Sequence, residues 1–464
     1  MHLTLAEQFE RALGAILARV RVSGHAFEPS WKIAVAYSGG LDSSVLLYLM
    51  RDYLAGADGR LFAFHIHHGI SPNASAWLAH CAQEAARFGV SFDARRVELR
   101  NRGKVGVEEA ARLSRYAALG ELCRAHDVPL LLTAHHQDDQ AETVLLQLLR
   151  GSGVAGLSGM DVVNTAPGLL GDAELLIGRP LLSASRLELE QFASARQIGY
   201  VDDESNADTR FARNALRHHV MPALKQYFPG FQERLARSAQ HAQSAQAMLN
   251  ELAARDFEQC ADGEGLDLGR LRTLSRERID NLLRYWFHRH GLRMPSTAWL
   301  EELRAQLQHT ESDTQMCVTH PDGRVRRFRD RLMLLPNPAA DTSCVASEPF
   351  VWNGESSLHF AAFAGSLHFE EAQEGVSMQW LRRQSLSIRR RQGGERVKLA
   401  PDRPSRSLKQ HYQSLDIPVW ERERLPLIFA GENLLFAAGI GMDCRPESDD
   451  ATPKIRLRWC ADIG

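Results

Sequence analysis

The sequence predicts an α/β protein: a parallel sheet covered by helices, then a helical domain and a smaller α+β domain. Three observations support this fold class. Short apolar runs alternate with helical patterns in the first third, residues 212–310 are helical in pattern, and short strand-like runs follow residue 348. Apolar strands that alternate with helices are typical of parallel sheets with both faces buried.

Each strand of the predicted sheet is a short apolar run followed by a helical pattern. The predicted strands are 33–37, 61–67, 91–99 and 129–135. The predicted helices that follow them are 42–54, 76–88, 108–126 and 138–150. The glycine-rich stretch GSGVAGLSGM at 151–160 ends this alternation, and a further helix is expected near 185–198.

The later part of the chain is divided by PNPAADTSCVASE at 336–348, a composition typical of a linker. Before it, a long polar–apolar pattern predicts a helix from about 230 to 258. The predicted domains are 1–217 for the α/β domain, 218–340 for the helical domain and 349–464 for the α+β domain.

Composition is that of a soluble globular protein, with 464 residues, 44% apolar and 24% charged. Seven scattered cysteines without a CxxC pair argue against a disulfide framework and a zinc knuckle, and a reducing cytoplasm fits best. The N-terminal 20 residues predict an amphipathic helix, not a signal peptide. The sequence contains no run of about 18 apolar residues, so no membrane span is predicted.

A candidate phosphate loop, SGGLDSS, follows the strand at 33–37 directly and opens a helix. Its residues are Ser38, Gly39, Gly40, Leu41, Asp42, Ser43 and Ser44. Glycines let a backbone approach a ligand closely, and the helix start offers free N–H groups to an anion. The loop lacks the lysine of GxxxxGK[ST]. The alternative is a capped strand–helix turn with Asp42 as the cap.

Two further stretches carry charge near the predicted sheet. On the helix at 108–126, Arg112 and Arg115 share one face at i,i+3, although a solvated salt-bridged helix would look the same. TAHHQDDQAET at 133–143 follows the fourth strand, where open α/β sheets bind ligands. There Asp139 and Glu142 present two carboxylates to one side, suited to an ammonium group or Mg²⁺; acids favoured by the helix dipole, or a zinc site, are the alternatives.

Basic residues concentrate in two later places. DESN at 203–206 precedes Arg210, Arg213, Asn214 and Arg217, which a capped basic helix would also explain. Residues 382–424 carry twelve Lys/Arg and five acids although the whole chain has a net charge of −2. Tyr412 and Trp420 lie among them, a mixture that suits RNA phosphates and bases but also a solvated basic face.

The motif SGGxDS resembles the PP-loop of the N-type ATP pyrophosphatases, whose fold is adenine nucleotide alpha hydrolase-like. In their order along the chain, the stretches closely resemble the tRNA(Ile)-lysidine synthetase family. The matching segments are SGGLDSS, HIHHG, EEAARLSRY, TAHHQDDQAET, LLRGSGVAGLSGM, DESN with RFARNALR, and RRRQGGER with SRSLK and PVWERERLP. They extend from residue 38 to about 426. Glu109 departs from the family, which usually has a small apolar residue there.

The resemblance implies a two-step reaction on the isoleucine tRNA with the anticodon CAU. The C2 oxygen of the wobble cytidine attacks the α-phosphate of ATP, and pyrophosphate leaves. The ε-amine of L-lysine then displaces AMP, and the tRNA changes from methionine to isoleucine identity.

The resemblance also implies roles for individual residues. The loop holds ATP, with Asp42 helping to organise Mg²⁺, whose ligands are otherwise unassigned. Asp139 and Glu142 bind lysine beside His135, and Arg115 stabilises the α-phosphate or binds tRNA. The tRNA contacts expected are Arg112, Arg115, Arg213, Arg217, Arg389, Arg391 and Arg396. The oligomeric state, a homodimer included, is left open.

Three alternatives differ in observable sequence features. A tRNA thiolase with the same loop often needs a CxxC pair, which is absent here. A GMP synthetase would carry a glutaminase nucleophile segment, and none is recognisable. An RNA-binding protein with a decayed loop would not be expected to retain both SGGLDSS and HHQDD.

Overall fold

The computed structural model describes residues 3–22, 31–56, 58–67, 69, 73–97, 107–202, 209–210, 212–309, 316–337, 346–444 and 453–462. Contacts divide the chain into two compact units. Unit 1 comprises Met1–Ala261 and Arg270–Pro295, and unit 2 comprises Asp262–Gly269 and Ser296–Gly464. The DESN segment at 203–206 and most of the expected linker lie outside the described residues.

Unit 1 is built on a six-stranded sheet. Its strands are β1 (Lys32–Ala36), β2 (Arg60–His67), β3 (Ser91–Arg96), β4 (Leu130–Leu132), β5 (Val163–Thr165) and β6 (Leu176–Gly178). They lie in the order β3-β2-β1-β4-β6-β5. All neighbours are parallel except β5, which pairs antiparallel with β6 at one edge. The predicted parallel sheet is therefore confirmed, with an antiparallel edge strand that the sequence analysis did not predict.

Helices surround this sheet and continue beyond it. Up to residue 289 they are α1 (Leu5–Val22), α2 (Leu41–Tyr53), α3 (Ala74–Arg87), α4 (Val107–Ala125), α5 (Gln137–Leu149), α6 (Val154–Leu157), α7 (Pro167–Leu170), α8 (Arg186–Arg196), α9 (Ala212–Ala215), α10 (Met221–Tyr227), α11 (Phe231–Cys260), α12 (Leu268–Leu271) and α13 (Arg276–Arg289). A π-helical segment, Leu216–Val220, joins α9 to α10.

Both faces of the sheet are buried, as the apolar strands require. On β1, Ile33 and Val35 join a core cluster formed with α1, α2, α3 and α8. Ala34 points to the opposite face and joins a second cluster with α4. Alternate residues of β1 therefore pack against helices on opposite faces of the sheet. The parallel pairing of β1 with β4 brings the carboxyl ends of these two strands side by side.

Unit 2 contains two five-stranded sheets, a four-stranded sheet and a two-stranded ribbon within the described residues. The first five-stranded sheet has the order β7-β8-β11-β10-β9, and β8–β11, β11–β10 and β10–β9 are antiparallel pairs. Its strands are β7 (Ala261–Asp262), β8 (Gly265–Asp267), β9 (Cys317–His320), β10 (Gly323–Phe328) and β11 (Arg331–Pro336), with α14 (Thr297–His309) before β9.

The C-terminal part of unit 2 mixes short strands and helices, as predicted. Its strands are β12 (Ser347–Phe350), β13 (Ser357–Phe360), β14 (Gly365–Ala372), β15 (Val376–Ser377), β16 (Leu386–Arg389), β17 (Arg396–Val397), β18 (Arg406–Ser407), β19 (Leu427–Ala430), β20 (Asn433–Ala437), β21 (Gly441–Met442) and β22 (Lys454–Ala461). Its helices are a 3-10 turn, Ala361–Phe363, with α15 (Met378–Arg382), α16 (Leu408–Ser414) and α17 (Val419–Arg422).

The segment 218–340, predicted to be helical, contains long helices and also β7 to β11. Strands such as β10 were not predicted. In GRVRRF only every second residue is buried, so the run is too polar to be recognised as a strand. The boundaries of the three predicted domains stay a prediction.

Candidate active site

The candidate phosphate loop lies between β1 and α2, as predicted. Gly39 has φ +85°, and a Cβ there would lie 2.6 Å from Cys81 Sγ, so a larger residue would not fit without rearrangement. Gly40 caps α2 without a side-chain hydrogen bond. The first N–H groups of a helix lack intrahelical acceptors, so the loop offers an anion-binding start to α2.

The serines of the loop brace its backbone. Ser38 Oγ accepts from Gly40 N at 3.3 Å and lies 3.0 Å from Ser43 Oγ. Ser43 Oγ donates to Gly40 O at 3.0 Å, and Ser44 Oγ donates to Gly39 O at 3.4 Å. Leu41 is buried in the core below. The loop is thus held in shape by its own hydroxyl groups.

Asp42 points from the first turn of α2 toward α8. Arg186 Nη1 donates to both of its carboxylate oxygens, at 3.2 and 3.1 Å. Burial raises the pKa of Asp42, while His136 and Arg186 act in the opposite direction. Arg186 was missed by sequence reasoning, because no spacing pattern links two residues 144 positions apart.

His136 connects the loop to the acids of α5. Its Nε2 lies 3.8 Å from an Asp42 oxygen and 3.4 Å from an Asp139 oxygen. Its Nδ1 lies 3.7 Å from Asp138. The ring is buried, and within the described part of the chain neither nitrogen has a hydrogen-bond partner. The sequence pattern pointed to the neighbouring His135 and not to His136, although the HH pair of the motif contains both.

Asp139 and Glu142 converge as their i,i+3 spacing predicts, and two arginines meet them. Arg213 Nε donates to Glu142 Oε2 and Arg217 Nε to Glu142 Oε1, each at 2.7 Å. Arg217 and Arg213 also approach Asp139 Oδ1, at 3.2 and 3.4 Å. Glu142 is only 1% exposed, whereas each arginine is 32% exposed. Four charged groups therefore form one compact, neutral cluster.

Burial and the surrounding charges shift the pKa values of Asp139 and His135. Burial would raise the pKa of Asp139, but His136, His135 and Arg213 outweigh it and lower that pKa to about 2. Burial lowers the pKa of His135 to about 4, despite the nearby Asp139. His135 Nδ1 lies 2.9 Å from Thr133 Oγ1. At neutral pH, Asp139 is thus ionised and His135 is an uncharged imidazole.

The two arginines of α4 differ in their surroundings. Arg112 pairs with Glu109, with Nε 3.0 Å from Oε2, on the exposed surface. Arg115 is exposed and close enough to His65 to lower its pKa, an effect secondary to burial of that histidine. Glu109, the residue unusual for the family, therefore makes an ion pair with a predicted tRNA contact.

The three C-terminal arginines belong to unit 2. Arg389 and Arg396 line a cavity of about 490 Å³ that also includes Phe429. The guanidinium of Arg389 stacks 4.5 Å from the Phe429 ring centre. Arg391 lies beside Glu395, whose carboxylate accepts the backbone N–H groups of Gln392 and Gly393. The basic motif thus lines part of a concave surface, to which Glu395, Glu432 and Asp443 contribute three acids beside three arginines.

No helix in the described residues is long and apolar enough to cross a membrane. Likewise, none of their His, Cys, Asp and Glu side chains form a ready-made group of three metal ligands.

A phosphate loop at the carboxyl end of a parallel strand, beside a cluster of partly buried charged side chains, is the arrangement of a nucleotide-binding α/β enzyme. Family models match three parts of the chain: the PP-loop domain at residues 5–224, the TilS substrate binding domain at 266–333 and the TilS substrate C-terminal domain at 386–459. The class is therefore that of the PP-loop enzymes, which use ATP.

Similar proteins narrow this class. The tRNA(Ile)-lysidine synthase of Ralstonia nicotianae is 43% identical over 89% of this chain and 89% of its own length. That of Burkholderia pseudomallei is 41% identical over 93% of this chain and 94% of its own. The chain belongs to the tRNA(Ile)-lysidine synthase family.

Part of the chain is similar in structure to the U34-tRNA thiolase NcsA from Methanococcus maripaludis with its [4Fe-4S] cluster. It is 16% identical over 50% of this chain and 80% of its own, with a TM-score of 0.40. A likeness this weak supports no conclusion about activity.

Proposed function

We propose that this protein joins L-lysine to C2 of the wobble cytidine in the isoleucine tRNA with the anticodon CAU. ATP is consumed, and AMP and pyrophosphate are released. One observation carries the proposal: His136 lies within 3.8 Å of Asp42 in the phosphate loop and within 3.4 Å of Asp139, one of the two acids of α5. A nucleotide and an amino acid bound at these two places would be neighbours.

The first step activates the base. The C2 oxygen of cytidine forms a bond to the α-phosphorus of ATP, and the α–β phosphate bond breaks. The loop from Ser38 to Ser44 would hold the phosphates through backbone N–H groups at the start of α2. Arg115, exposed on α4, would stabilise negative charge on the α-phosphate or contact tRNA.

Magnesium fits this site through oxygen ligands. Mg²⁺ is usually bound by one or two carboxylates together with substrate phosphates and water, so a complete protein cage is not needed. Asp42 is the carboxylate on the loop itself, and its bond to Arg186 fixes its position. When bound, the ion would neutralise charge on the pyrophosphate.

The second step transfers lysine. The ε-amine forms a bond to C2, the bond from C2 to the oxygen of AMP breaks, and the nitrogen loses a proton. His135 is an uncharged imidazole at neutral pH, and its lowered pKa makes it a weak base, so the proton passes to water and His135 is proposed to contact the amino acid beside Asp139 and Glu142. Asp139 and Glu142 would bind the amino acid. Release of AMP completes the ligation.

The tRNA would extend over further basic residues. Arg112 and the C-terminal residues Arg389, Arg391 and Arg396 are the proposed contacts, since phosphates attract guanidinium groups. Arg213 and Arg217, also expected to contact tRNA, are paired with Asp139 and Glu142 in this structure. The cytoplasm is the proposed location, and a homodimer is left open.

The test is a reaction with purified protein, ATP, isotopically labelled lysine and the CAU-anticodon tRNA. Mass analysis of the digested tRNA should show one labelled lysine on cytidine, with AMP and pyrophosphate in equal amounts. The same tRNA with a uridine at the wobble position is the control and should not react. Release of AMP and pyrophosphate without a lysine adduct, or an adduct at another nucleotide, would refute the proposal.

A further inference from the structure

Arg179 is a buried arginine at the carboxyl end of β6 to which the proposed reaction assigns no role. It is 8% exposed, and an arginine keeps its charge even when buried. Among the described residues its hydrogen bonds go to uncharged oxygens, from Nη1 to Asp161 O and Asn164 Oδ1 at 2.7 Å each. Burial lowers the pKa of Arg179, and Tyr116 and Asp161 offset only part of this effect. A buried charge without an adjacent opposite charge is costly, so this position is suited to receive an anion.

The remaining donors of Arg179 form one edge of its guanidinium group. Its Nε has no hydrogen-bond partner in the part of the chain that the structure describes. The edge from Nε to Nη2 fits two oxygens of a carboxylate or a phosphate through parallel hydrogen bonds. Arg112 uses this edge on Glu109, with Nε 3.0 Å from Oε2 and Nη2 3.2 Å from Oε1. Arg179 is thus held in place through Nη1 and presents the Nε–Nη2 edge to an oxyanion.

Arg179 lies at the edge of the sheet where the proposed reaction takes place. The preceding residue, Gly178, accepts the N–H of Thr133 at 2.9 Å, and Thr133 Oγ1 lies 2.9 Å from His135 Nδ1. Only β4 separates β6 from β1, which leads into the phosphate loop. Because neighbouring strands lie about 4.8 Å apart, the ends of β6 and β1 are roughly 10 Å apart. A single phosphate group cannot contact both, so an oxyanion at Arg179 is a different group from the phosphates on the loop.

Residues of α4 connect Arg179 with the exposed surface. Tyr116 is close enough to Arg179 to interact with it electrostatically. The exposed Arg112 in turn lies over Tyr116, with its guanidinium 5.8 Å from the ring centre. A guanidinium, an aromatic ring and a second guanidinium therefore follow one another from the surface to the interior. Such a series suits a nucleic acid strand, which offers phosphates and bases in alternation.

We propose that Arg179 binds one of the two phosphates that flank the wobble cytidine, through its Nε–Nη2 edge. The backbone of this nucleotide is then fixed at the end of β6 while its base lies toward the phosphate loop. Arg179 is thus a binding residue for the tRNA that positions the reacting base. This inference rests on the proposed function, because that function makes the wobble cytidine the base that reacts.

The first test compares Arg179→Gln and Arg179→Lys with the wild type. Loss of a hydrogen-bonded charge should raise the Kd and the KM for the CAU-anticodon tRNA at least about 10-fold in Arg179→Gln, with the KM values for ATP and lysine changed less than about threefold. Arg179→Lys keeps the charge but lacks the two parallel donors, so its tRNA affinity should lie between the other two. A raised KM for lysine or ATP with unchanged tRNA binding would overturn the inference.

Arg124→Gln is the matched control for these variants. Nη1 of Arg124 also donates to two uncharged oxygens, those of Leu170 and Gly171, at 3.0 and 3.2 Å. This arginine follows α4 toward the amino end of β4, away from the reacting groups. Its tRNA affinity and its three KM values should match those of the wild type.

The second test neutralises the tRNA instead of the protein. Uncharged methylphosphonate linkages replace the two phosphates beside the wobble cytidine, one at a time. One replacement should weaken binding to the wild type at least about fivefold and binding to Arg179→Gln less than about twofold, because two groups in contact are not additive. Equal losses in both proteins at both positions would refute the inference. Binding of tRNA requires no lysine adduct, so this result is independent of whether the proposed ligation takes place.

Discussion

Asp42 illustrates how a site residue depends on a partner that is distant in sequence. Its neighbours in the motif, Ser43 and Ser44, hydrogen-bond to the loop backbone, whereas Asp42 is held by Arg186 of α8. The carboxylate is thereby fixed at the start of α2, next to the place where phosphates would lie. We therefore expect both its charge and its position to matter for activity.

Replacing Asp42 by Asn should lower the adenylation rate roughly 10²- to 10³-fold, the usual effect of removing one electrostatic group from an active site. The fold should persist, because this side chain is 27% exposed. The measurement is tRNA-dependent pyrophosphate release, with thermal unfolding to check folding. Asp52→Asn, on the last turn of the same helix, is the matched control and should retain full activity. Wild-type rates in the Asp42 variant would disprove this role.

Acid should destabilise the protein in two successive windows around α5. His135 has a folded pKa of about 4 against 6.5 unfolded, so the unfolded chain binds the extra proton between these values. Stability therefore falls as pH drops from about 6.5 to 4, by up to ~1.4 kcal/mol per pH unit. Asp139 has a folded pKa of about 2 against 3.8, so its contribution, on the order of 2 kcal/mol, is present above pH 3.8 and lost toward pH 2.

Denaturant unfolding at a series of pH values distinguishes these windows. His135→Gln should flatten the loss between pH 6.5 and 4 and narrow the lower window, because His135 is one of the groups that lower the pKa of Asp139. Asp139→Asn should remove the lower window and deepen the upper one, because Asp139 raises the pKa of His135. Identical pH profiles for the wild type and both variants would contradict the assignment.

The sequence predicted which residues belong to the site better than it predicted which side chains they contact. The motif spacing placed Asp139 and Glu142 on one side of a helix, and the structure has them there. It could not indicate that Arg186 reaches Asp42, or that Arg213 and Arg217 reach Glu142, because those contacts depend on how separate elements pack. His136 was overlooked because two adjacent histidines look alike until burial separates them.

Among the elements, strands with clear burial patterns were predicted well. β1 and β2, with α2 and α5, match their predicted positions to within one residue, because their apolar periodicity is regular. β5 and β6 are three-residue strands and were missed, since so short a run gives little pattern. β4 is likewise only LLL, although the apolar run around it suggested a longer strand.

Helices α4 and α7 pack so closely that Gly120 leaves no room for a side chain. A Cβ on Gly120 of α4 would lie 2.0 Å from the carbonyl oxygen of Leu170, which is backbone and unable to rotate away. Gly120→Ala should therefore destabilise unit 1 by about 2 kcal/mol or more, as overpacking does. Denaturant unfolding measures the difference.

Gly168→Ala offers a matched control, because it lies on α7 itself. A Cβ there has nothing within 4 Å, so this substitution should change stability by no more than about 1 kcal/mol. Equal effects of the two substitutions would mean that the close approach of the helices does not limit stability.

In the whole molecule, the proposed catalytic residues and the C-terminal cluster of basic residues belong to different units. The proposed catalytic residues all belong to unit 1, whereas Arg389, Arg391 and Arg396 belong to unit 2. A net charge of −2 conceals this division, and only the local charge pattern revealed it. The sequence could not give the cavity beside Phe429, because it forms between strands that are distant along the chain.

Changing Arg389, Arg391 and Arg396 to Gln should weaken tRNA binding by a salt-dependent amount. Each phosphate contact contributes about 0.7–0.9 to the slope of log affinity against log salt, so the triple variant should lose roughly 2–3 of that slope. Filter binding between 50 and 300 mM salt, on the order of physiological ionic strength, provides the measurement, and ATP binding should not change.

The control carries equal charge loss in unit 1, at the exposed residues Arg11, Arg60 and Arg87. It should keep the wild-type slope. If both triple variants lose the same slope, the effect is one of net charge and not of the basic surface.

The π-helical segment Leu216–Val220 constrains how this region tolerates change in length. In an α-helix each residue turns the chain by about 100°, and a π-turn accommodates one extra residue. Deleting one residue there would rotate α9 by that angle and carry Arg213 away from Glu142. Exchanges of side chain on the exposed side would leave both arginines in place. The number of residues matters here as much as the identity of Arg217 and the buried Leu216, so a deletion should be far more harmful than a substitution at an exposed position of the segment.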